Sequence, residues 1–179
     1  QFYETTILRN PALTGVAENN YKATAYFREQ WNSVTAPYET LLLDLEYHFK
    51  ITGNSKDYIS FGLLGYSDKA GDLDQKIAGV YPVVNYNKCL NPANNSYLSA
   101  GFTAGYLQYS FDPTNARVNN QFVGGMFSAT NPTMEVFPTA KRDQFDLGAG
   151  VNYNVSPGQS KLSTYFFGVS AYHFNNPKF

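Results

Sequence analysis

The chain has 179 residues, enough for one domain with a sizeable core, and its formal net charge of −1 sets up no strong field toward nucleic acid or an anionic membrane surface. Charged residues make up only 15%, against about 25% in ordinary soluble domains, while aromatics reach 17%, nearly all of them Tyr (15) and Phe (14). One cysteine, Cys89, excludes an intrachain disulfide or a cysteine metal cluster, and a mean hydropathy of −0.36 without any apolar run near roughly 20 residues excludes a helical membrane protein.

Taken in chain order, seven stretches alternate with period 2. In 21–31, Tyr21, Ala23, Ala25 and Phe27 oppose Lys22, Thr24, Tyr26 and Arg28. The stretch 40–51 is the clearest: Leu41, Leu43, Leu45, Tyr47, Phe49 and Ile51 oppose Thr40, Leu42, Asp44, Glu46, His48 and Lys50. In 58–68, Ile59, Phe61 and Leu63 share a face. The stretch 76–87 is less regular, and Pro82 removes a ladder donor there. In 97–110, Leu98, Ala100, Phe102, Ala104 and Tyr106 oppose Ser99, Gly101, Thr103 and Gly105. In 145–155, Phe145, Leu147, Ala149, Val151 and Tyr153 oppose Asp146, Gly148, Gly150, Asn152 and Asn154. The last, 163–174, places Tyr165, Phe167, Val169 and Ala171 together, and parity adds His173 to that apolar face. No stretch carries a convincing helical period, so the chain is all-β.

Alternation alone fits two architectures. A soluble sandwich turns its apolar face inward; a transmembrane barrel turns it to lipid. Strand length favours the barrel. Soluble strands peak near 5–6 residues, whereas twelve residues at about 3.3 Å each, tilted by about 45°, span roughly 28 Å, close to the hydrocarbon thickness. Aromatics near segment ends (Trp31, Tyr47, Phe49, Phe145) suit interfacial girdles. Links two, four and six are short, and the fifth, 110–143, is long, which matches short periplasmic turns and longer outer loops. We therefore expect an antiparallel transmembrane β-barrel of the bacterial outer membrane over 20–179, with 110–143 extracellular and 1–19 a periplasmic or lumenal lead. Seven is an odd count for such barrels. Either an eighth strand lies at 120–128 or the sequence is an incomplete portion, about seven or eight strands of a larger barrel. Gln1 in place of Met suggests a processed or trimmed start, with a signal peptide already removed.

Several pieces, in order and nearly end to end, resemble the PorP/SprF family of type IX secretion system membrane proteins. Asn10, Pro11, Ala12 and Gly15 are followed by a first strand ending in Arg28, Gln30 and Trp31. APYETLLLDLEYHF, SFGLLGYSDKAG and LSAGFTAGYLQYSFD are similar to its next three pieces, and DQFDLGAGVNYNV with FFGVSAYHFNNP to its closing strands. The resemblance implies an outer-membrane barrel of the type IX pathway, in gliding or secreting bacteria. It also implies partners: a secreted, adhesin-like cargo protein with a C-terminal sorting domain, other type IX components, and the lipid bilayer. Members of the family are longer than this chain.

No catalytic, cofactor or metal site is expected, and no nucleic-acid partner. His48 lies in a polar row with Asp44 and Glu46, where acid–base chemistry competes with a lumenal hydrogen-bond ladder; enclosed charges need partners, which favours the ladder. Asp68, Asp72 and Asp74 offer oxygen ligands of the kind calcium takes, but without a calcium-loop spacing they read as a solvated turn. Cys89 reads as an inert thiol in a turn. Beside the secretion reading stand a porin, its pore lined by Arg28, Asp44, Glu46 and Lys50, and an outer-membrane enzyme, for which no nucleophile–base pair is found.

Overall fold

A computed structural model of the chain describes residues 5–16, 19–33, 37–51, 53, 56–71, 73–112, 117–128, 130–132, 134–135, 141–157 and 163–175. The strands, in order, are β1 (Tyr21–Gln30), β2 (Tyr38–Lys50), β3 (Tyr58–Ala70), β4 (Gln75–Asn91), β5 (Ser96–Ser110), β6 (Phe122–Val123), β7 (Met126–Phe127), β8 (Lys141–Val155) and β9 (Tyr165–Tyr172). Seven of them pair antiparallel in one sheet, β1-β2-β3-β4-β5-β8-β9, with β1 and β9 at its edges. Each expected stretch is one of these strands.

Two expectations need correction. The stretch 120–128 is no eighth wall strand: β6 and β7 form a small separate hairpin within the 111–140 connection, with the Phe122 and Phe127 rings 5.6 Å apart. The irregular stretch at 76–87 is a 17-residue strand that runs to Asn91, so Cys89 lies in β4, opposite Tyr97, and not in a turn. Pro82 explains the weak pattern. The ladder to β5 passes from Val80 opposite Tyr106 to Val83 opposite Thr103, skipping Tyr81 and Pro82, the second of which lacks a donor.

Burial follows the alternation with its usual sign reversed. Leu43 and Leu45 are 49% and 54% exposed, while Asp44 between them is fully buried. The same holds across the sheet: Phe61, Leu63, Val84, Phe102, Phe145 and Val151 are exposed, and Ser60, Asn85, Asn87, Ser99, Thr103, Asp146 and Asn152 are buried. A soluble sandwich would show the opposite. Strands of 13 (β2, β3) and 15 (β5, β8) residues are long enough, tilted, to cross a hydrocarbon layer. Outward aromatics mark both ends. Tyr21 pairs with Tyr47, and Phe49 stacks on Phe61 (5.7 Å), at the end where β1 begins; Trp31, and Tyr106 against Phe145 (5.4 Å), lie at the other.

The chain passes from β2 to β3, from β4 to β5 and from β8 to β9 at the end where β1 begins, and from β1 to β2, from β3 to β4 and from β5 to β8 at the opposite end. Asp57, just before β3, clasps the first of these ends. It accepts from Lys88 Nζ (2.8 Å), the Cys89 amide (2.9 Å) and the Tyr86 hydroxyl (3.0 Å). The Lys88 hydrogen bond, aided by the Cys89 amide, holds the carboxyl at about 2, below the ordinary aspartate range.

Two outcomes follow. Leu43→Lys places a cation on the lipid face and costs about 2–4 kcal/mol in urea unfolding from lipid vesicles; near-neutrality would contradict the reversed burial. A depressed carboxyl stabilises the fold above its unfolded value and loses that effect as pH falls through its folded value. The stability gap between wild type and Asp57→Asn therefore stays constant above pH about 4 and closes as pH falls toward about 2, in acid titrations followed by circular dichroism.

Candidate functional site

The polar concave face of the sheet is occupied by the chain's own N-terminal segment. Residues 6–9 form one helical turn (Thr6–Arg9) and Pro11–Leu13 a 3₁₀ turn. Asn10 joins them: its Oδ1 accepts from the Ala12 amide (2.8 Å), and Pro11, which has no amide hydrogen, sits where the turn leaves a donor unused. Gly15 then reverses the chain at φ +74°, and a Cβ there would collide with Ser60 of β3.

This short segment touches all seven strands. Thr6 Oγ1 meets Lys22 Nζ of β1 (3.4 Å) and donates to Glu46 of β2 (2.6 Å). The Gly15 amide donates to the other oxygen of Glu46. Asn85 Nδ2 of β4 donates to the Ala12 and Thr14 carbonyls (3.0 and 2.8 Å). Asn10 Nδ2 donates to the carbonyls of Val151 in β8 (3.0 Å) and Val169 in β9 (3.4 Å). Ser170 and Tyr172 of β9 donate to the Arg9 and Ile7 carbonyls. Glycines give the backbone room. A Cβ on Gly62 of β3 would lie 2.8 Å from both Ile7 and Thr14, and one on Gly101 of β5 or Gly150 of β8 would strike Pro11 or Asn10.

Ile7 is the apolar knob of the segment. It is fully buried with Leu42, Leu64, Tyr81, Val83 and Leu107. These inward apolar residues break the polar parity of their strands. Leu42, Leu64 and Leu107 are the signal through which the sequence announces a seat for something apolar on a polar face.

Glu46 is the electrostatic centre. It takes Lys22 at 2.7 Å, and the same ammonium lies 3.5 Å from Asp44. One cation thus faces two buried carboxylates, and the Glu46 charge is also met by two donors of the N-terminal segment. A carboxylate with charge-assisted donors inside a poorly solvated interior is a strong fixed point.

The structure brings together Asp44, Glu46 and Lys22, but Arg28 and Lys50 sit exposed at strand ends, away from that pair. His48 faces inward, its ring 4.9 Å from that of Tyr58. His173 corrects the parity reading: at φ +59°, just past β9, it leaves the apolar face, and its amide and Nδ1 both meet Asp146 Oδ1 (3.0 and 2.8 Å). Tyr81 donates to the other Asp146 oxygen (3.1 Å), which clasps the end of β9 to the interior. The reading of three aspartates in one turn needs correction: Asp68 lies within β3, opposite Thr40 of β2, and accepts from its hydroxyl, while Asp74 pairs with Lys69 (2.8 Å) and Asp72 lies outside the described residues.

Glu46→Ala removes the acceptor shared by Lys22, Thr6 and Gly15. It is expected to cost about 1.5–3 kcal/mol in urea unfolding in detergent, with faster proteolysis of the N-terminal segment. Glu46→Gln keeps an acceptor and falls between it and wild type; equal effects would show that the charge is irrelevant.

No curated protein and no solved structure matches this chain. The profile described as type IX secretion system membrane protein PorP/SprF matches residues 1–179, so the chain belongs to the PorP/SprF family of type IX secretion system membrane proteins.

Proposed function

We propose that this protein is an outer-membrane barrel component that binds, delivers or anchors a secreted, adhesin-like cargo protein at the cell surface. In this reading the end where β1 begins faces the periplasm and residues 110–143 face outward. The cargo carries a C-terminal sorting domain, and other type IX components complete the assembly. The reading is one of binding, without a catalytic step.

The observation that carries it is the combination of a lipid-suited outer face with an interior occupied by residues 5–16. A barrel whose inner face is already hydrogen-bonded to its own chain from β1, β2, β4, β8 and β9, and packed against it at Gly62 of β3 and Gly101 of β5, is better suited to hold a partner than to conduct solutes. The exposed hairpin of β6 and β7 supports the same reading. Met126 is 75% exposed at its tip and Phe127 lies under the Arg117 guanidinium (5.1 Å), a combination of exposed apolar and cationic groups suited to protein contact.

Affinity capture of the full protein from solubilised membranes tests the proposal: a large surface protein with a sorting domain is expected among the co-purifying chains, and capture of none would contradict it. In planar bilayers the protein is expected to be silent. Steady open conductance would favour the small-solute channel instead.

A further inference from the structure

We propose that the concave face is a peptide-recognition groove, that residues 5–16 are its resident, displaceable ligand, and that a translocating partner chain exchanges for them. The first ground is the kind of contact. Five of the nine hydrogen bonds between the groove and the described residues of the segment go to its main-chain groups, and the other four use the Thr6 and Asn10 side chains. Asn85 donates to two of its carbonyls and Ser170 and Tyr172 to one each, while Glu46 accepts a backbone amide. Main-chain recognition of this type admits other sequences, as in other grooves that bind peptides through backbone hydrogen bonds.

The second ground is the floor. Gly101 and Gly150 leave space only where Pro11 and Asn10 approach, so the groove is shaped to a turn of small residues. The third is spare capacity. Asn85 Oδ1, Asn152 Nδ2, Asn154 Oδ1 and both amide atoms of Gln144 are buried without a hydrogen-bond partner among the described residues. Buried amides left unsatisfied are unfavourable, and a longer or differently placed peptide would satisfy them. The resident segment uses only part of what the groove offers.

The ligand class is thus a peptide whose seated stretch has no acidic residues, with a turn like Asn10-Pro11-Ala12 flanked by Thr side chains and one aliphatic knob like Ile7; the resident segment itself carries the cation Arg9. A strongly acidic peptide would meet Asp44 and Glu46 and be rejected. The exchange partner rests on the secretion reading above; the groove itself does not.

The test inserts a protease site between Val16 and Tyr21 of the full chain. The barrel is folded in detergent, cut, and incubated with a fluorescent synthetic peptide of residues 1–16. Saturable incorporation is expected, with the barrel still showing its folded gel mobility. Glu46→Gln is expected to speed release of the bound peptide by roughly tenfold, the effect of weakening about one buried contact, and Gly101→Ala, whose Cβ would strike the Pro11 and Ala12 backbone, is expected to abolish saturable incorporation. Two results would overturn the proposal: a cut barrel that retains its segment without exchange, and a cut barrel that unfolds as the segment leaves. Either would make residues 5–16 a fixed part of the core. Exchange without any captured secreted protein would remove the functional reading and leave the groove standing.

Discussion

An outer face made of Leu, Val and Phe turns the polar side chains of the strands toward the interior, where neighbouring strands and residues 5–16 supply many of their partners. That constraint organises the rest of the structure. Water is absent from a hydrocarbon layer, and unsatisfied polar groups there are strongly unfavourable. Main-chain groups within the sheet are met by the strand ladders. The side chains of Glu46, Asn85, Ser170 and Tyr172 are met by residues 5–16, which cross from β1 to β9.

The interior is also not uniformly polar. Ile7 enters a patch made by Leu42, Leu64, Tyr81, Val83 and Leu107. Burial of this aliphatic side chain contributes on the order of 2 kcal/mol, about as much as two net hydrogen bonds. The segment is therefore held by a mixture: an apolar knob for affinity, and Glu46, Asn10 and Asn85 for register. The Lys22–Glu46 pair links that register to the first wall strand. At the far end, Asp146 ties His173 and Tyr81 together and fixes the last strand to the same interior.

Much of the wall was legible because strand alternation is local. Leu41 to Ile51 reads directly as two faces, and the long strands with short alternate turns decide which face meets lipid. Pro82 obscured β4 because it changes pairing, not burial: Tyr81, Val83, Asn85 and Asn87 keep the inward parity throughout. The N-terminal seat was not legible, since its contacts run between residues up to 165 positions apart and use main-chain carbonyls that no sequence pattern marks. Leu42, Leu64 and Leu107 hinted at it as apolar residues out of parity. His173 was misplaced because parity assumes extended backbone, and one residue at positive φ ends that assumption.

The central claim is the outward direction of the apolar face, and collision accessibility of spin labels tests it most directly. Single cysteines introduced from position 41 to 46 in a Cys89→Ser background, labelled and reconstituted in vesicles, report whether oxygen from the lipid or a water-soluble nickel complex reaches each site. The structure predicts high oxygen accessibility at 41, 43 and 45 and low accessibility to both agents at 42, 44 and 46. Oxygen maxima at 42, 44 and 46, or strong nickel accessibility at 43 and 45, would contradict it.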